Sequence, residues 1–297
     1  KDQTVLFGTD YARTLAQTAA IPEAMKTSFD LSCIRRKNTE GYHYFISALT
    51  GKDTESWIPL AVPARSAMLY NPMNGSSGKA LLRQKDGKTE VYLQLASGES
   101  AILKTFTEAD VQVPEWKYQT VAQGTVELSG LWSLRFVESA PAVHSAPDSV
   151  SLGSWTDLSF EGAGTTMGTG CYTTAFVIEN PASAQDWLLS LGDVRESARV
   201  RINGREVAIL WAVPYCCPIG QYLRSGKNIL EIEVTNLPAN RIADMDRRGV
   251  KWRIFKDINI AALGYKKGTY AGWEPVPSGL LGPVRIIPLK ITKNEMQ

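Results

Sequence analysis

The side chains best suited to acid–base work in this chain are the carboxylates Asp157, Glu161, Asp244, Asp246 and Asp257, all in polar stretches between apolar runs. Cleaving an acetal with two carboxyl groups requires them roughly 5 to 9.5 Å apart, one protonated and one ionised. Sequence spacing brings no two of these residues together, so solvated loop carboxylates are expected and no catalytic residue is assigned. A serine nucleophile is poorly supported, because no GxSxG elbow is present. His43 lies in an apolar run that suits a packing or hydrogen-bonding histidine, and His144 lies in a polar loop facing solvent. The four cysteines, Cys33, Cys171, Cys216 and Cys217, show no CxxC spacing, which argues against zinc. A bridge between the neighbours Cys216 and Cys217 would strain the peptide joining them, so buried thiols are expected. The glycine-rich stretch from Gly162 to Gly170 is followed by no GK[ST] and no helical pattern, and reads as a wide turn leading into a strand from Cys171 to Ile178.

The elements that must carry these groups are mostly strands. A chain of 297 residues, 44% hydrophobic and 21% charged, has the composition of a soluble globular protein of two domains. A net charge of +2 argues against a nucleic-acid or membrane-surface binder. One helix is expected between Thr9 and Ala20, with Thr9 or Asp10 as cap and Pro22 beyond its end. Seven short strands follow: Phe29 to Arg36, Tyr42 to Leu49, Ser56 to Val62, Ala67 to Asn71, Ala80 to Gln84, Thr89 to Leu95 and Ala101 to Phe106. Asn74-Gly75, Asp86-Gly87 and Ser97-Gly98 supply turns among them. The expected organisation is a helical segment (1–28), a β-sandwich (29–113), a connector (114–124) and a second sandwich (125–291). In the second half, strands are expected at Trp187 to Leu191, Ile229 to Thr235 and Gly282 to Leu289, with a further segment from Trp252 to Ile260. Asn203-Gly204 between alternating runs predicts a type I′ hairpin. Counting outward from it pairs Ile202 with Arg205, Arg201 with Glu206 and Val200 with Val207, with an Arg201–Glu206 ion pair on the polar face. The fold class expected is all-β, two antiparallel sandwiches with one short N-terminal helix.

Several ordered motifs carry a resemblance. GLWSLRF, SWTDLSFEGAGTTMGTGCYTTAF, LGDVRESARVRINGREV, WAVPY, YLRSGKNILEIEVTNLPANR and GLLGPVRI resemble the galactose-binding-like jelly roll, including the sugar-binding domain of family 2 glycoside hydrolases. The first half, with CIRRKNTEGYHYFISALTGKDTESWIPL, LYNPMNG and VYLQLASGESAILKTF, resembles the sandwich after the catalytic barrel of family 106 α-L-rhamnosidases. Arg35, Arg36 and Tyr44-Phe45-Ile46 carry that match. The resemblance implies a non-catalytic carbohydrate-binding or scaffolding module, a catalytic barrel N-terminal to Lys1, and a periplasmic or extracellular location. The glycan partner it implies is a plant-type polysaccharide or a rhamnose-containing glycan. No cofactor is required, and a structural calcium is left open. Pro218 stands where related domains often carry an aspartate, which puts the polar contact of that aspartate in doubt.

Sugar recognition needs flat aromatic faces and planar polar groups. The second half offers Trp155, Asp157, Trp211, Tyr215, Asn240, Arg241, Asp244 and Trp273 as carbohydrate-binding candidates, with Asn236, Trp252 and Tyr270 in supply beside them. Trp273, in the segment GTYAGWEPVPSG, is the best aromatic candidate. Core packing competes for Trp155, Trp211 and Trp252, and loop-carbonyl bonding competes for Asn236, Asn240 and Arg241. Arg247, Arg248 and Lys251 read most simply as a solvated basic turn. Two other readings are weighed: a stand-alone hydrolase with a site between the sandwiches, and an adhesion or assembly module.

Overall fold

The computed structural model describes residues 10–16, 18, 21–144, 149–253 and 268–292. Most of the expected 252–260 segment, and Asp257 with it, lies outside the described residues. The fold is all-β, built from antiparallel sheets, and the chain divides into two compact units between Tyr118 and Gln119.

In the first unit a five-stranded sheet runs in the order Ser32–Lys37, Gly41–Ser47, Ser100–Phe106, Ser66–Tyr70, Ser77–Lys79. A three-stranded sheet, Thr54–Pro59, Lys88–Leu95, Leu82–Lys85, completes the sandwich. Strict alternation sets the faces: in Gly41–Ser47, Tyr44 and Ile46 are buried while His43 and Phe45 are exposed. Ile58, Val91, Leu93 and Leu103 join them in one core. Each such side chain contributes on the order of 1.5–3 kcal/mol when fully buried. Asp86 and Gly87, both at positive φ, close the hairpin joining Leu82–Lys85 to Lys88–Leu95. A helix at Tyr11–Ala16 falls within the expected segment, and Asp10 Oδ1 accepts from Arg13 N at its start. A second helix, Met25–Phe29, was not expected. It replaces the start of the expected Phe29 strand because Met25 and Phe29, four residues apart, share one face that packs on the core.

The second unit is a jelly-roll sandwich. One sheet orders Val126–Glu127, Arg285–Thr292, Asp186–Ser190, Cys216–Pro218. The facing sheet orders Ser133–Ala140, Met167–Ile178, Gly226–Thr235, Ser197–Ile202, Arg205–Leu210. Trp132, Trp155, Tyr172, Leu189, Val200, Leu230, Ile232 and Ile286 fill the space between them. Pro218 is tolerated because its strand is at a sheet edge, where a missing N–H costs no ladder bond.

Asn203 (φ 53°) and Gly204 (φ 77°) form the expected turn, and the first two pairs, Ile202 with Arg205 and Arg201 with Glu206, are as counted. The third is not: a bulge shifts Val200 onto Ala208. The ion pairs shift as well. Arg201 Nη1 lies 2.7 Å from Glu233 Oε1 on the neighbouring strand, and Glu206 faces Arg199 at 3.7 Å. Residue counting sees one hairpin, whereas Ser197–Ile202 is a central strand whose arginines choose between two neighbours.

A third helix, Ala239–Arg247, also departs from the expected loop. It ends in a Schellman motif: Gly249, at φ 66°, donates to Asp246 O, and Val250 N donates to Met245 O.

Candidate functional site

The loops that could meet a ligand gather at one end of the second unit. Ser197 pairs with Thr235, and Ala198 pairs with both Val234 and Leu210. Trp211 therefore leaves the sheet at the same end as Asn236 and the helix after it. Thr169 also pairs with Thr235, which brings the 160–166 turn to that end, one strand over.

A polar network fixes this rim. Asn236 Nδ2 donates to Thr166 O and to Ser278 Oγ, both at 3.1 Å, while its Oδ1 accepts from Gly168 N at 2.9 Å. Asn240, buried on the inner face of the helix, clasps Val276 with two 2.8 Å bonds, Nδ2 to the carbonyl and Oδ1 from the N–H. Ser278 N donates to Ser154 Oγ at 3.0 Å, and Trp155 N donates to Ser278 O at 2.8 Å. Buried amides satisfied this fully hold three loops in one arrangement.

Above the network stands an aromatic cluster. Tyr270 and Trp273 have ring centroids 4.5 Å apart, and Trp252 and Tyr270 are 6.3 Å apart. The Arg253 guanidinium lies 5.1 Å from the centroids of both Trp252 and Tyr270. Asp246 organises the group. Its Oδ1 accepts from Trp252 Nε1 at 2.7 Å, and its Oδ2 accepts from Tyr270 N at 2.8 Å and Thr269 Oγ1 at 3.2 Å. These donors, the Tyr270 amide first, hold its carboxyl below the usual range. Arg247 reaches across to Ala271 O at 3.0 Å and Trp273 O at 3.1 Å. An open cavity of about 520 Å³ lies alongside, lined by Asp246, Val250, Lys251, Trp252, Arg253, Gly268 and Thr269.

No protein-family model matches the chain. It is 30% identical over 179 residues to a putative β-glucuronidase of Formosa agariphila, a match that takes in 54% of this chain and 15% of that protein. The solved structure of a rhamnosidase from Novosphingobium sp. PP1Y superimposes with a TM-score of 0.64 at 26% identity, over 86% of this chain and 24% of that one. The chain thus spans less than a quarter of either relative. It is related to parts of glycoside hydrolases.

The candidate residues fall into three groups. Trp155 and Tyr215 are core residues. Trp155 Nε1 donates to Tyr172 Oη at 2.5 Å, its ring packs on Phe136, and Tyr215 Oη donates to Glu196 O at 2.6 Å. Gly279, at φ 97°, passes so close that any side-chain carbon there would collide with the Trp155 indole. Asn240, Arg241 and Asp244 lie on the helix and are engaged internally. Arg241 pairs with Asp244 at 3.0 Å, and Asp244 also pairs with Arg248 at 2.9 Å. Asp157, Trp211 and Trp273 are exposed at the rim; Trp211 is 63% and Trp273 48% exposed. Of these, Trp273 joins the aromatic cluster, whereas Trp211 enters no ring pair among the described residues.

The cluster also contains residues the candidate set omits, namely Asp246, Arg247, Trp252, Arg253 and Tyr270. Trp252 and Tyr270 were legible as aromatics in polar surroundings, but nothing in the spacing linked them through Asp246. The basic turn is only partly solvated: Arg247 clamps loop carbonyls, Arg248 pairs with Asp244, and Lys251 alone stays exposed without a partner among the described residues. His43 is exposed and bonds Asn38 through Nδ1 at 2.9 Å.

Among the described residues the carboxyl with a raised pKa is Glu99, in the first unit, and burial in the turn it caps through Ala96 N is the main cause. Among the described residues no group of three or more His, Cys, Asp or Glu side chains could hold a metal. No described helix is long and apolar enough to cross a membrane.

Proposed function

We propose that this chain is a non-catalytic, carbohydrate-binding module of a glycoside hydrolase resembling the α-L-rhamnosidases, with its ligand at the loop end of the jelly roll. The observation that carries this reading is the superposition on the rhamnosidase, which takes in most of this chain but a small part of that enzyme. An accessory portion conserved as a fold, with hydrolytic residues elsewhere, accounts for that proportion. The exposed Trp273 beside Tyr270 and Trp252 supplies stacking surface for a pyranose, on loops that the Asn236 and Asn240 clasps hold in place. On this reading residues 29–113 form a supporting sandwich, residues 125–291 carry the ligand, and a catalytic barrel works beside them in the periplasm or outside the cell.

Calorimetric titration with rhamnose, galactose, galacturonic acid and oligosaccharides of each tests binding. Heat with at least one, lost in Trp273→Ala, is the expected result; no heat with any removes the binding role. Incubation with aryl α-L-rhamnoside and other aryl glycosides tests the absence of catalysis. Reproducible turnover abolished by changing a loop carboxylate would overturn that part.

A further inference from the structure

The cavity beside the aromatic cluster has an unbalanced set of free groups. Asp246 is the acidic residue among the described lining residues, and both its carboxylate oxygens are already taken by Trp252, Thr269 and Tyr270. Lys251 lines the same cavity, exposed, with no partner among the described residues. Arg253 spends one nitrogen, Nη2, on Gly268 O at 2.8 Å and on Asp246 at 3.6 Å, while its other guanidinium nitrogens have no hydrogen-bond acceptor among the described residues. Among the side chains of the described lining residues, what remains for a ligand is therefore almost entirely donors. Neutral sugar hydroxyls each donate and accept, and such a site leaves their protons unmatched. A carboxylate only accepts, and charge-assisted bonds to it are roughly twice as strong as neutral ones. Of the three rings in the aromatic cluster, Trp252 lines the cavity and would cover the apolar face of the sugar carrying it.

We propose that this cavity recognises an acidic sugar, the carboxylate of a uronic-acid residue within a glycan, with Lys251 and Arg253 as its partners. This rests on the carbohydrate-binding reading above and narrows it to a ligand class. The cavity is open along one side, which suits one residue of a longer chain better than an enclosed small molecule.

The test titrates the 297-residue chain with a galacturonic acid trisaccharide, a neutral galactose trisaccharide and a sulfated galactose trisaccharide, at low and at physiological salt. The expected result is uronate binding at least tenfold tighter than neutral binding, weakening as salt rises. Lys251→Gln should lower uronate affinity by about tenfold and neutral affinity by much less, with no change in Tm because Lys251 is exposed. Equal affinity for acidic and neutral glycans, or indifference to Lys251→Gln, overturns the inference while the carbohydrate reading stands. Sulfated glycan binding as tight as uronate binding overturns the carboxylate assignment. No binding of any of the three removes both.

Discussion

Replacing Asn240 by alanine tests whether the rim is held by the clasp on Val276. The substitution removes two 2.8 Å bonds at once, leaving the Val276 N–H without a partner and its C=O with only a 3.4 Å contact from Ser278 Oγ, and it also removes a 3.4 Å contact between Asn240 and Ser278 Oγ. An unsatisfied buried polar group costs about 1–3 kcal/mol. Val276 is 37% exposed, so water can reach its backbone once the asparagine is gone, and the two penalties do not add in full. A net loss of about 2 kcal/mol follows, or roughly 4–8 °C in Tm for a unit of this size. The loss takes one of two forms. If the loop opens locally, exchange of the Val276 amide rises by about 30-fold, the equivalent of ~2 kcal/mol, while Tm moves little. If the rim and the sandwich melt together, Tm falls by the amount given. Amide exchange by NMR with thermal unfolding followed by circular dichroism distinguishes these. Unchanged Tm together with unchanged Val276 protection would refute the clasp. Glycan titration of the same variant gives the functional counterpart, since a freed 270–276 loop no longer presents Trp273 and affinity should fall.

Asn203→Ala should destabilise the protein by about 2–3 kcal/mol in urea unfolding, since it loses bonds to Tyr222 O, Asn228 Oδ1 and Ile229 N and places a Cβ residue without side-chain compensation at φ 53°. A loss below about 0.5 kcal/mol would mean the turn needs none of them. Burial pushes the Cys217 thiol and the Tyr172 hydroxyl both up to about 12. Their folded values exceed the unfolded ones, so their stabilising contribution is complete below about pH 9 and is lost as pH rises toward 12, at up to about 1.4 kcal/mol per unit per group. Urea midpoints that stay level from pH 8 to 11 would contradict that burial. Asp246 runs the other way: its depressed folded pKa contributes stability above the unfolded value, lost as pH falls through the folded one. Tryptophan emission should shift below about pH 4 in the native chain and already at pH 7 in Asp246→Asn, while Asp157→Asn leaves it unaltered.

Strand content was legible because the code for it is local. Tyr44 and Ile46 alternate with His43 and Phe45, and Asp86-Gly87 and Asn203-Gly204 can take the positive φ their hairpins require. The bulge at Val207 was not legible, since two runs of alternating residues can be joined in register without it. Only the competition of Glu233 and Glu206 for Arg199 and Arg201 shows that three strands, not two, decide the pairing. The helix Ala239–Arg247 escaped because it has no apolar stripe: Asn240 and Ala243 are its buried residues. Its punctuation was nonetheless present, with Pro238 ahead of it and Gly249 behind.

The site followed the same division. Trp273 could be picked from its glycine- and proline-rich surroundings, but an aromatic residue with a polar tip reads the same in sequence whether the tip meets the protein or a ligand. Trp155 and Tyr215 both satisfy theirs internally, through Tyr172 and Glu196, and that consumes them as binding residues. The same accounting separates polar residues. Asn236, Asn240, Asp244 and Asp246 have their hydrogen-bonding capacity committed within the fold, so changing them should act through stability and loop position. Among the described residues, Lys251 and most of the Arg253 fork have no partner, above a floor that the committed residues make rigid. A rigid floor matters for that pair because ordering flexible side chains costs roughly 0.5–1.5 kcal/mol each on binding, and Arg253, already held against the rings of Trp252 and Tyr270, has met part of that cost before any ligand arrives.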